Sequence, residues 1–69
     1  MNSYIIMPER GNWTEIEATN SEMAYRSVCC WYNPNRKVAV INKSTKETKI
    51  YTRKLDKAGN LDKIIEIEN

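Results

Sequence analysis

Between Thr19 and Pro34 the sequence has room for one helix, and the segments on either side alternate in polarity. That change of period, from 2 to 3.6 residues and back, is what most limits the fold. Thr19-Asn20-Ser21-Glu22 reads as a helix start. With Thr19 as N-cap, Glu22 falls at the third helical position and completes a capping box; Asn20 is an equally good cap. The helix is predicted to run over about 20–32. It stops because Pro34 disfavours helical geometry at Asn33 and lacks an N–H of its own.

Upstream, residues 3–7 (Ser-Tyr-Ile-Ile-Met) are β-prone, and Pro8-Glu9-Arg10-Gly11-Asn12 is a turn. From Trp13 to Ala18 the chain alternates, with Thr14, Ile16 and Ala18 on one face and Trp13, Glu15 and Glu17 on the other. These two segments form a predicted hairpin. Downstream, Val38 and Val40 face one way while Lys37, Ala39, Ile41 and Lys43 face the other. A turn at Ser44-Thr45-Lys46, with Lys43 and Glu47 able to pair across its base, leads into a returning strand over Thr48–Leu55. Placing Val40 opposite Ile50 sets Val38 against Thr52 and leaves Lys49, Tyr51 and Arg53 on the solvent side. A slip of one residue would put Lys49 on the core face. Ala58-Gly59-Asn60 is a further turn, and Leu61–Asn69 reads as a strand in preference to a helix because of its β-branched content. The expected fold is a single small α+β domain over residues 1–69, in the order β-β-α-β-β-β. An antiparallel sheet of four to five strands would carry one helix packed on one face.

Val28-Cys29-Cys30-Trp31-Tyr32 holds both cysteines. At 100° per residue, Ala24, Tyr25, Val28, Trp31 and Tyr32 share one stripe and point to the core. Cys29 lies on the margin of that stripe and Cys30 points almost opposite. Metal binding would require about four ligands at chelating spacing, and the chain has no histidine and no C-x-x-C. A disulfide between neighbours would join Cα atoms about 3.8 Å apart, under the usual minimum of about 4.4 Å. A thiolate nucleophile at Cys30 would sit at the C-terminal, negative end of the helix, offset only in part by Arg26 and with no histidine as base. The pair is therefore read as one core-margin cysteine and one surface thiol.

Other chemistry is sparse. Glu15 with Glu17, and Glu66 with Glu68, are spaced as solvated strand faces. Gly11 and Gly59 stand alone in separate turns, so no glycine-rich phosphate loop can be built. These absences argue against an enzyme and against any cofactor. No apolar run reaches the ~18–20 residues of a membrane span, and Met1–Pro8 lacks the basic opening of a signal peptide. The expectation is a soluble, cytoplasmic protein with free thiols.

Charge gives the one functional pointer. Residues 1–34 hold two basic and four acidic side chains, residues 35–57 eight basic and two acidic, and residues 58–69 one basic and three acidic. A basic β-hairpin follows, with Lys37, Lys43, Lys49 and Arg53 around Tyr51, Ile41 and Ala39. Such a face can be merely solvated, with lysines that discourage edge pairing. As a binding surface it suits an acidic protein surface first. Nucleic acid is the alternative, through Lys37, Lys49, Tyr51 and Arg53, although a pI near 8.6 falls below the > 9 of a dedicated nucleic-acid binder. Trp13, on the face of Glu15 and Glu17, is a further candidate contact, expected to be partly buried. The sequence therefore points to a small non-catalytic binding module, a protein-interaction or regulatory accessory protein.

Overall fold

A computed structural model describes residues 1–55, 57–59 and 61–67. In chain order it contains β1 (Asn2–Pro8), β2 (Thr14–Ala18), α1 (Ser21–Val28), a 3-10 turn (Cys29–Trp31), β3 (Val38–Asn42), β4 (Thr48–Leu55) and β5 (Leu61–Ile67). The strands form one antiparallel sheet in the order β2-β1-β3-β4-β5. The helix lies across β1, β2 and β3 on one side of it. This is the expected β-β-α-β-β-β domain, and 61–67 is a strand. None of its helices is long and apolar enough to cross a membrane among the described residues.

The β1–β2 hairpin follows its alternation. Ser3 opposes Glu17 and Ile5 opposes Glu15, while Ile16 and Ala18 turn toward the helix. Gly11 takes φ +101° in the turn, a value that strains any side chain with a Cβ. The helix begins at Asn20, whose Oδ1 accepts from the N–H of Met23 at 2.9 Å. That bond satisfies one of the otherwise unpaired first-turn donors. Ala24, Tyr25 and Val28 then pack on Tyr4, Ile6, Val38, Val40 and Tyr51 to make the core.

The helix is shorter than the predicted 20–32. At Val28 the backbone leaves α geometry (φ −121°, ψ −4°), and Cys29–Trp31 continue as a 3-10 turn. Val28, Cys29 and Cys30 still sit where a 100° repeat places them, the first two buried and the third exposed. By the end of the 3-10 turn the repeat no longer applies. Trp31, expected in the core, is 65% exposed, whereas Tyr32 still packs against the core.

The β3–β4 register is also not the expected one. Val38 opposes Tyr51 and Val40 opposes Lys49, a shift of one residue. Asn42 sets it. Its side-chain Oδ1 accepts from the N–H groups of Ser44 (2.8 Å) and Thr45 (3.2 Å). Its own N–H donates to Glu47 O, its carbonyl accepts from Lys46 N–H, and Lys46 closes the turn at φ +67°. An Asn-led turn with a left-handed residue before the return strand is a stable hairpin closure. Lys43 pairs with Glu15 at 3.3 Å instead of with Glu47. At the next connection Gly59 takes φ +87°; Asp56 and Asn60 of that predicted turn, and Glu68 beyond β5, lie outside the described residues.

Candidate functional site

The register decides where the predicted binding residues go. Lys49, Tyr51 and Arg53, expected on the solvent side, all lie on the helix side of the sheet. Tyr51 is 3% exposed and stacks on Tyr25, with ring centroids 5.3 Å apart and planes 15° apart. Burial raises the Tyr51 phenol above its usual pKa, and the carboxylates of Glu66, Glu22 and Glu47 add to that. Lys49 is half-buried and reaches the edge of the helix layer, where its Nζ meets Glu66 at 4.0 Å. Its long apolar stem makes this position tolerable. Arg53 acts as a clamp: one Nη donates to Tyr32 O at 2.7 Å, and its carbonyl accepts from Asn35 N–H at 2.9 Å. Arg53 Nε is buried with no partner among the described residues.

The other candidates stand elsewhere. Ile41 is half-buried on the opposite, open side of the sheet. Lys43 is exposed at the hairpin end, held by Glu15. Lys37 is exposed and its N–H donates to Glu9 Oε1 at 2.9 Å. Trp13, expected to be partly buried, is 61% exposed just before β2. The seven positions therefore do not form one surface.

What does form a surface is the open side of the sheet, which no element covers among the described residues. Register and alternation place Ile5 and Met7 of β1, Ala39 and Ile41 of β3, Ile50 of β4, and Ile65 and Ile67 of β5 on it. Ile5 faces Ile41, Met7 faces Ala39, Ala39 faces Ile50, and Ile50 faces Ile67. The five isoleucines are only half-buried and Met7 is 46% exposed, so the patch runs unbroken across four strands. Pro8, Glu9 and Lys37 join Met7, Ala39 and Ile50 around a shallow hollow at one end. The patch was foreshadowed in Tyr4-Ile5-Ile6-Met7 and Val38-Ala39-Val40-Ile41. Runs apolar at every position, not every second one, are the mark of strands covered on both faces.

Charges frame this patch at opposite corners. Glu15 and Glu17 stand on β2, where β1 begins. Lys54 and Lys63 oppose each other at the far ends of β4 and β5. Two like charges facing across a strand pair repel. Glu17, Lys54 and Lys63 make no ion pair among the described residues.

A second feature sits at the end of the sheet beside the β1–β2 turn. Arg10 and Arg36 border a cleft together with Pro8, Glu9, Trp31, Tyr32 and Asn33. Among the described residues no three Cys, Asp or Glu side chains gather as a metal site would require.

No protein-family model matches the chain, and neither the curated proteins nor the solved structures contain a match to it.

Proposed function

We propose that the protein is a non-catalytic protein-binding module, a regulatory or accessory component that docks through the open face of its sheet. The observation that carries this reading is the uncovered row Ile5–Ile41, Met7–Ala39–Ile50–Ile67. Isolated exposed apolar residues are ordinary, but a contiguous patch rimmed by charge is a mark of interaction surfaces. The acidic partner surface expected from the charge pattern keeps a place in this reading. Its carboxylates would meet the unpaired Lys54–Lys63 corner instead of Lys49 and Arg53.

Site-directed photo-crosslinking tests it. A benzophenone side chain at Ala39 reports the open face, and one at Arg26 reports the exposed side of the helix. The expected result is protein adducts from Ala39 alone, lost when Ile41→Glu is introduced. Equal yields from the two positions, or adducts that survive Ile41→Glu, would overturn the proposal.

One observation favours a second reading, nucleic-acid binding. Exposed Trp31 lies in a cleft with Arg10, Arg36 and Glu9, and a base stacked on an aromatic with phosphates on arginines is a common single-strand arrangement. It predicts fluorescence-anisotropy binding of a labelled oligonucleotide at ~50 mM salt, weakening steeply as salt rises and abolished by Arg10→Glu with Arg36→Glu. No binding at low salt would remove this reading.

A further inference from the structure

Resting on the docking reading above, we propose that the occupant of the open face is a second copy of this chain, paired about a two-fold axis. Two arguments select it. The first is charge. The face carries its own complement, with Glu17 unpaired beside the Glu15–Lys43 ion pair at one corner, Lys54 and Lys63 at the diagonally opposite one, and apolar side chains between. A two-fold axis in the plane of contact, crossing the sheet between those corners, lays the acidic corner of each copy on the basic corner of the other. Such an isologous contact uses the same patch twice. It would also neutralise the Lys54–Lys63 pair, which has no counter-charge within the described residues of one chain.

The second argument is area. Five strands at about 4.8 Å spacing and about 20 Å of strand length give a face of roughly 24 by 20 Å, near 500 Å². Two copies therefore bury about 1,000 Å² together, and more once side-chain relief is included, which reaches the lower bound for a specific interface. The helix side offers no comparable patch, because its apolar side chains are already used in the core. The sheet becomes the middle of a four-layer assembly, helix-sheet-sheet-helix, with the isoleucines of both copies at its centre.

Sedimentation equilibrium on the purified chain, from about 5 µM to about 500 µM, tests the proposal. The expected species at the upper end has twice the 8.1 kDa chain mass. Ile50→Glu, on a half-exposed position, should leave the helix and sheet signals in circular dichroism intact and hold the chain monomeric throughout. Charge exchange tests the arrangement itself. Glu17→Lys alone and Lys63→Glu alone should each weaken the dimer by about tenfold, since each replaces two attractive rim contacts by repulsive ones. Mixed in equal amounts, the two variants should recover dimerisation, because every lysine corner then faces a glutamate corner. A monomer at every concentration, a dimer unaffected by Ile50→Glu, or a mixture no tighter than its parts would overturn the proposal. The docking reading fails separately: a monomeric chain that still forms Ala39-specific adducts with another protein keeps the module and loses only this partner.

Discussion

Tyr51→Ala is the sharpest test of the sheet register. In the observed register Tyr51 is 3% exposed, lies beneath the helix and stacks on Tyr25 at 5.3 Å. Removing a buried aromatic ring costs about 3–5 kcal/mol, of which the ring–ring contact supplies about 0.5–1.5 kcal/mol. A domain of this length has a total stability of about 3–10 kcal/mol, so the variant loses about 30% of its stability at the least. In the register that alternation alone predicts, Tyr51 faces solvent and the same substitution costs no more than about 0.5 kcal/mol. Urea unfolding followed by far-ultraviolet circular dichroism separates the two. With a slope of about 1–2 kcal/mol per molar urea, the midpoint should fall by about 1.5–5 M, or the variant should be largely unfolded without urea. Tyr51→Phe keeps the ring and should stay close to the parent. A Tyr51→Ala midpoint within about 0.5 M of the parent would refute the register and the core built on it.

Three further outcomes follow from the same packing. Burial beside Cys29, partly offset by Arg53, pushes the Tyr25 phenol up to about 12 from its usual 10.0. Stability should therefore be independent of this group below pH 10 and fall as pH rises from 10 toward 12, where the unfolded chain releases a proton that the folded chain holds, by an amount on the order of 2–3 kcal/mol. Chemical denaturation at pH 9 and pH 11 should show a smaller alkaline loss in Tyr25→Phe; an equal loss would mean the phenol is accessible. The Thr52 hydroxyl is buried with no partner among the described residues, so Thr52→Val should raise stability by about 1 kcal/mol, or about 4–8 °C in melting temperature. A lower melting temperature would show that the hydroxyl is hydrogen-bonded. Finally, Cys30 is exposed and Cys29 buried, so a bulky thiol reagent should modify one equivalent quickly and the second only on unfolding. Two fast equivalents would place Cys29 at the surface.

The elements were legible because each is written locally. The Asn20 cap and the alternation of Thr14–Ala18 each depend on residues a few positions apart, whereas Pro34 does not mark the helix end, since α geometry stops at Val28. Register was not legible from alternation, because two other demands decide it: the Asn42 side chain closing its own turn, a local signal, and the non-local need for a large ring under Tyr25. Keeping Lys49 off the core face looked decisive in sequence, yet a lysine stem can run along apolar surface to reach Glu66. Trp31 was misplaced because a helical repeat cannot be continued through the break at Val28. The basic surface expected on one face is divided between two, since net charge per segment carries no information about side. The open apolar face could have been read from Tyr4–Met7 and Val38–Ile41, where alternation is absent.

The strand order has a consequence for synthesis. β1 is made well before β3, its partner on the inner side, with which it pairs at separations of 30 residues (Pro8 with Val38) to 38 residues (Tyr4 with Asn42). At about 5–20 residues per second, β1 waits roughly 2–8 seconds for the strand that completes its inner edge. During that interval the edge of β1 is unpaired, with Ile5, Ile6 and Met7 behind it, and an unpaired apolar edge recruits other chains. Sequence changes that delay β3 would then appear as lost yield in the cell while the purified, folded protein melts normally.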